Sequence, residues 1–405
     1  MHCASISKFF RTYLCKVIKI IATLVKNRNI MTVERETAGF ALPFAAGTAA
    51  AIYAGAYHIT PVSHIFVAVA IVFLLGALIL GRQNRLPDNA IWALIGATAL
   101  FVGALCGLTS IELSHSAHSG LGLFERIGVS IEEAADQIPF RSATTNVFIK
   151  AVLTGERSGI SQDVMEAFRE SGASHILALS GLHLGVIYMM ISRLLSITGS
   201  GPRAIRIRSV LTIIICGTYT LATGAGPSLV RAFLFIILNE TARLCGRYSS
   251  TGNVLLTALV IQLCMTPAAI RDAGFQLSYA AMAGIAFIYP WMKGLWPETP
   301  KGRPGSERFA SYIVTQPTRW IWNSATMSIA CQMTTAPLAW IYFGTFPQYF
   351  LLTNLIALPL TGLLIPSAAI TLILNKAQIC PDLLVRLTEW LTGLLIGALE
   401  IIASM

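Results

Sequence analysis

Apolar residues fill most of this chain in blocks of about twenty, separated by short polar or basic turns. Twenty apolar residues is about the length a helix needs to cross the hydrocarbon core of a bilayer. Three blocks fall near 37–57, 63–81 and 90–109. After a long polar interval, about eight more follow, near 175–196, 208–224, 227–245, 252–268, 273–291, 320–343, 348–374 and 383–403. The pattern predicts an all-α fold, a polytopic α-helical integral membrane protein with about 11 transmembrane helices. The block at 348–374 is long enough to tilt or to include a re-entrant piece.

The basic residues divide these connections into two sets. Arg82 and Arg85 follow the second block, whereas the turn from His58 to His64 has no Lys or Arg. Arg203, Arg206 and Arg208, then Arg243 and Arg247, then Lys293, Lys301, Arg303, Arg308 and Arg319 fall on one side of the alternation. The opposite turns carry only Arg271. Cytoplasmic loops are the ones enriched in Lys and Arg, so the N-terminus is expected inside and the C-terminus outside. Four segments follow from this reading. Residues 1–36 form a basic amphipathic N-terminal segment that suits an anionic inner leaflet, with a translation start at Met31 as the alternative. Residues 37–109 hold the first three spans. Residues 110–172 form an extracytoplasmic segment of one or two amphipathic helices, lying along the outer surface. Residues 173–405 form the main membrane domain.

Composition agrees: 55% of residues are hydrophobic and 12% charged, against about 25% charged in soluble domains. The net charge of +10 permits an acidic polymer as ligand, but it is read here as mainly a matter of sidedness. The eight cysteines are scattered without a CxxC pair, so neither a disulfide framework nor a metal site is expected. There is no GxxxxGK[ST] loop, so energy for any transport comes from elsewhere. No cofactor is expected.

Polar residues inside apolar blocks are the candidate chemistry, because they are costly in hydrocarbon unless they face a bundle interior or a wet cavity. The densest set is Ser171 to Gly185, holding His175, Ser180 and His183, with Gly181 and Gly185 as a small-xxx-small step for close helix approach. Its blander reading is that Ser174 caps a helix and both histidines sit among headgroups. Gly224, Gly226 and Pro227 interrupt the next pair of blocks, and irregular backbone at membrane depth lines cavities or is buried. Arg231, one turn further on, either faces that cavity or snorkels outward. Asp272 either caps the helix carrying Gln276 and Ser278 or pairs with Arg231. Gln332 precedes Pro337 in one block, and Asn354 precedes Pro359 in the next. Ser180 and His183 are spaced to touch on a helix, yet no acidic residue stands by to orient His183 and no G-x-S-x-G elbow is present. The two histidines have no third metal ligand nearby.

The stretch His175-Ile-Leu-Ala-Leu-Ser-Gly-Leu-His-Leu-Gly185, preceded by Gly155-Glu-Arg157, resembles the signature of the competence domain of ComEC-type DNA uptake proteins. Asp272 to Ser278, Thr223 to Ala232, and the run from Gln332 through Pro337, Phe343-Gly344 and Asn354 to Pro359 resemble further blocks of it in order. The likeness covers about residues 146–375. It implies a channel passing one strand of transforming DNA across the bacterial inner membrane. The partners implied are single-stranded DNA, membrane lipid, a separate DNA receptor, nuclease and cytoplasmic motor, and a second copy of the chain. Neither the OB-like domain nor the C-terminal metallo-β-lactamase-like domain of that family is expected here. Residues 110–172 are too short and helical for the first, and the metal motif of the second is missing. Three functions remain in view: a channel for single-stranded DNA, a small-solute secondary transporter, and an intramembrane hydrolase at Ser180 and His183.

Overall fold

The computed structural model describes residues 30–53, 69–70, 72–73, 88–113, 122–199, 201–246, 249–296, 305–344 and 348–405. Most of the amphipathic N-terminal segment and most of the second expected span lie outside these residues. Among the described residues all regular structure is helical. Two compact units form. One holds the described residues of 1–108 with 250–260, the other those of 109–249 with 261–405.

The first unit is built on α1 (Ile30–Tyr53) and α2 (Asp88–Leu113), helices made of small and apolar residues. A Cβ on Gly47 would collide with the Leu100 carbonyl, and one on Gly103 with the Phe44 carbonyl. The two backbones therefore touch at reciprocal glycines. The buried Thr48 hydroxyl lies 3.1 Å from the Gly103 carbonyl across the pair. Lipid is as apolar as leucine, so close packing and cross-helix hydrogen bonds, rather than burial from water, hold such a pair together.

The second unit begins with α3 (Gly122–Asp136), α4 (Ala143–Thr154) and α5 (Gln162–Glu170). The sequence predicts one or two amphipathic helices here, lying along the surface, and a short polar-faced helix at 163–169. Three form, and the last two reach the core through the wholly buried Phe148, Ile149 and Phe168. Apolar residues at helical spacing on α4 give it a buried side wide enough to serve as core. After the single turn α6 (Ser174–Leu177) come α7 (Gly181–Leu195), α8 (Pro202–Ala222), α9 (Pro227–Leu244), α10 (Thr251–Met265), whose residues up to 260 belong to the first unit, and α11 (Ala273–Ala283). A π turn at Gly284–Ile288 joins α11 to α12 (Tyr289–Lys293). It forms where a Cβ on Gly284 would strike the Ala330 carbonyl of α13 (Gly305–Phe343). The α13 helix runs unbroken through Pro317 and Pro337, and α14 (Phe350–Lys376) through Pro359 and Pro366. The chain ends in α15 (Asp382–Ala403), which packs along α14. Between them the Thr371 and Thr388 hydroxyls meet at 3.1 Å.

Among the described residues, three stretches are long and apolar enough to cross a membrane: Ala90–Leu108 in α2, Pro202–Ala222 and Phe350–Lys376. Both α7 and α10, with 15 residues each, fall short of that length. Large apolar side chains stand outward on α8 (Ile207, Val210, Ile214) and on α15 (Leu383, Trp390, Ile401), a distribution suited to lipid rather than water.

Candidate functional site

The expected continuous span at 175–196 is broken. Its helix stops at Leu177 and restarts at Gly181, with Ala178 and Ser180 extended between. Ser180 dictates the restart. Its hydroxyl accepts the Leu182 N–H at 3.3 Å, and its own N–H donates to His183 Nδ1 at 3.3 Å. This is a capping box in which histidine fills the role usually taken by Glu or Gln. The Ser180 hydroxyl also lies 3.0 Å from Nδ1. With Nδ1 accepting, the neutral ring carries its proton on Nε2. That Nε2 is buried without a partner in the protein, on a side chain only 1% exposed. His175 has a different post. It is exposed, its Nδ1 donates to the Gly172 carbonyl at 3.2 Å, and it lies within electrostatic range of His183.

The break is propped from below. Gly155 ends α4 in the left-handed region at φ 86°, where a Cβ would stand 2.7 Å from Leu179 Cδ1. The two halves of the sequence signature, Gly155-Glu-Arg157 and His175 to Gly185, therefore touch. On α8, Tyr219 donates its hydroxyl to the Leu153 carbonyl at 2.8 Å, one of the carbonyls left open at the end of α4.

Opposite the restart stands α9. A Cβ on Gly181 would lie 3.3 Å from both Ala232 Cβ and Arg231 Nη2. Glycine lets α9 come this close to the first residue of α7 with no contact to relieve. Arg231 is 7% exposed, and its Nη1 has no partner in the protein. Its guanidinium lies 5.7 Å from the centre of the Tyr279 ring, a cation–π contact. The Tyr279 hydroxyl donates to Gln262 Oε1 at 2.9 Å, and Gln262 Nε2 donates to the Pro227 carbonyl at 3.0 Å. One chain of contacts thus fixes Arg231 from α9 through α11 and α10 and back to the start of α9.

Asp272 does not take part in that chain. It caps α11, accepting the Phe275 N–H at 3.0 Å, and among the described residues no carboxylate pairs with Arg231. The site therefore sets a buried guanidinium and a buried imidazole N–H beside a helix N-terminus, which itself carries partial positive charge. All three favour an anion, and a buried cation left without one is expensive. Among the described residues no group of three His, Cys, Asp or Glu could hold a metal.

The remaining expected residues are more dispersed. Gly185 faces open space, so only Gly181 of the small-xxx-small step brings a neighbouring backbone close. Gly224, at φ 83°, ends α8 in a Schellman motif: Ala225 N–H reaches the Thr220 carbonyl at 2.9 Å and Gly224 N–H the Leu221 carbonyl at 3.3 Å. Gly226 is the N-cap of α9, and Pro227 is its first residue. Gln276 donates to the Ile270 carbonyl at 2.8 Å, within its own turn. Ser278 and Gln332 are half-buried on α11 and α13. Asn354 Oδ1 is buried without a partner; next to it, Thr353 donates to the Ser171 carbonyl at 2.7 Å. Phe275 is buried with its ring 4.6 Å from that of Tyr279.

Two polar residues that carry structure were overlooked in the sequence: Gln262 and Glu240. Glu240 is 2% exposed and accepts the hydroxyls of Tyr188 and Ser209, each at 2.6 Å, and Arg243 Nη1 at 3.1 Å. A lone amide or acid inside an apolar block was the signal in both cases.

Comparison with known proteins follows the same residues. No solved structure matches the chain. ComE operon protein 3 of Bacillus subtilis (strain 168) is 30% identical over 137 residues, 33% of this chain and 17% of that protein. The Uncharacterized protein YcaI of Escherichia coli (strain K12) is 29% identical over 153 residues, 36% of this chain and 20% of that protein. The matched stretches thus amount to a fifth or less of these relatives' lengths. The competence protein family model matches residues 152–405, which takes in the Gly155 turn, the broken helix and Arg231. With more than half of its length matched, the chain is a member of the competence protein family, whose membrane character its apolar helices share.

Proposed function

We propose that this chain acts in DNA uptake during natural competence, as a multi-pass channel of the bacterial inner membrane that passes a single strand of DNA inward. The observation that carries the reading is the pair of buried, unpartnered donors, Arg231 Nη1 and His183 Nε2, beside the N-terminus of α7. A DNA strand brings a phosphate at every nucleotide, and helix N-termini flanked by a guanidinium are anion sites. Each phosphate in turn would satisfy these donors and then leave. A single site of this kind supports transit rather than tight storage. The chain works as a passage and not as an enzyme. A DNA receptor outside, a nuclease for the other strand and a cytoplasmic motor are supplied by other domains or other proteins, and a second copy of the chain can complete the pore.

The test is transformation with labelled DNA in cells carrying Arg231→Ala, Arg231→Lys or His183→Ala, with membrane abundance of each variant measured alongside. Removing a charge-assisted buried contact should lower uptake about ten-fold or more. Lysine should restore part of it, since it keeps the charge but not the fork. Uptake at the parental level in both alanine variants overturns the assignment. Transport of a small organic anion into vesicles by the parent, without DNA uptake, would instead favour a carrier, because carriers use broken helices in the same way.

A further inference from the structure

The C-terminal turns of α7 and α9 and the early turns of α8 meet around an open cleft of about 320 Å³, lined by Met189, Ser192, Arg193, Arg208 and Arg243 among others. Two of these arginines have an ordinary explanation. Arg193 and Arg243 stand in the last turns of their helices, where the helix dipole favours a cation. Arg208 does not share it. It lies in the N-terminal half of α8, where the dipole gives a cation nothing. Its Nε is buried without a partner in the protein. The nearby acid is already occupied: Glu240 is filled by Tyr188, Ser209 and Arg243. Among the described residues neither Arg193 nor Arg208 forms an ion pair. The cleft is therefore cationic, with two guanidinium groups to spare.

Its surroundings decide what kind of anion fits. Met189, on its wall, is 52% exposed, and on the Arg208 stripe of α8, three and seven residues further on, Leu211 and Ile215 stand outward, 38% and 42% exposed. Nucleic-acid strands are commonly held by successive aromatic platforms as well as by cations, whereas this cleft offers a single aromatic, Tyr188. A charged cleft continuous with an outward apolar flank matches a molecule that is anionic at one end and hydrocarbon at the other. We infer that the cleft seats the phosphate of an anionic phospholipid of the inner leaflet, between Arg193 and Arg208, with its acyl chains along Leu211 and Ile215. Basic pockets between membrane helices on the cytoplasmic side are used in this way. Seating a lipid there would pin the ends of α7 and α9, the two helices that carry His183 and Arg231 at their other ends.

The experiment uses the full chain in nanodiscs of phosphatidylcholine with one-fifth phosphatidylglycerol, and spin-labelled forms of each lipid. The parent should immobilise phosphatidylglycerol in preference to phosphatidylcholine. Arg193→Gln and Arg208→Gln should each reduce that preference about five-fold, the factor equivalent to roughly 1 kcal/mol per basic residue near an anionic surface. Size-exclusion profiles and helical circular dichroism show whether the variants fold, and Arg208→Lys, which keeps the charge, should retain most of the preference where Arg208→Gln loses it. A preference unchanged in the variants overturns the proposal. So does displacement of labelled phosphatidylglycerol by a single-stranded oligonucleotide, which would assign the cleft to nucleic acid. DNA uptake is not the readout, so either result leaves the strand-passage reading to its own test.

Discussion

Ala225 stands in the left-handed region at φ 50°, a conformation that costs a residue with a Cβ about 1–2 kcal/mol. Ala225→Gly should therefore stabilise the turn between α8 and α9 by about 0.5–1 kcal/mol after the added chain entropy is counted, read as a higher midpoint in an SDS unfolding titration. His183 separates two roles that a single alanine would confuse. Its Nδ1 closes the capping box and its Nε2 points at nothing in the protein. His183→Ala should lose about 1 kcal/mol of local stability with the cap. His183→Gln keeps an acceptor of the kind a capping box uses, so membrane abundance should return while DNA uptake stays low. Full recovery of uptake with glutamine would reduce His183 to a capping residue. At Gly181 the neighbours decide the sign. Alanine would sit 3.3 Å from Ala232 Cβ and from the far end of Arg231, each of which need yield only slightly, and should be tolerated, whereas valine must push the guanidinium aside and should lower uptake without lowering abundance.

At the scale of elements, small residues work only where a partner backbone arrives. The step from Gly181 to Gly185 was visible in the sequence, but Gly185 meets open space. In the first unit the backbones instead approach at Gly47, against Leu100, and at Gly103, against Phe44, glycines with no signature beyond their size. Glycine is common in membrane helices, and sequence alone does not say which stripe finds a mate. Gly103→Ala puts a methyl group onto the Phe44 backbone, which has no side-chain freedom with which to yield. It should cost about 1–3 kcal/mol, seen as a lower SDS unfolding midpoint, whereas Gly185→Ala should be neutral in the same titration. The break before α7 was missed for a related reason. Leu-Ser-Gly reads equally well as helix interior or helix start, and the choice falls to the Ser180 cap and to Leu179 seated over Gly155.

For the whole molecule, the polar stretch between the third and fourth apolar blocks proved to be core as well as connection. Phe148, Ile149 and Phe168 from α4 and α5 share one cluster with Leu364 of α14 and Leu395 of α15. Lys150 and Asp136, paired at 2.9 Å, tie α4 back to α3, and the Asp136 carboxylate holds the Lys150 ammonium above the usual lysine range. If Arg231 meets passing phosphates, its removal changes how binding responds to salt. The slope of log affinity for an oligonucleotide against log salt should fall by about 0.7 in Arg231→Ala, the increment for one cation on a single strand. Fluorescence anisotropy on the nanodisc-embedded chain measures it, and an unaltered slope would take Arg231 off the DNA path.

Block length and loop charge announced an all-helical membrane protein, because hydrocarbon tolerates no unsatisfied backbone and so imposes both on the primary structure. The same cost of burying polar groups marked out His183, Arg231 and the Gly224 turn. Their partners were not legible. Asp272 had two equally good uses, and only the chain's path shows it capping α11 while Arg231 leans on Tyr279. Gly181 and Arg231 are far apart along the chain, and what joins them is the crossing of α7 and α9. Contacts of that range depend on how whole helices fit together, which no local pattern of residues encodes.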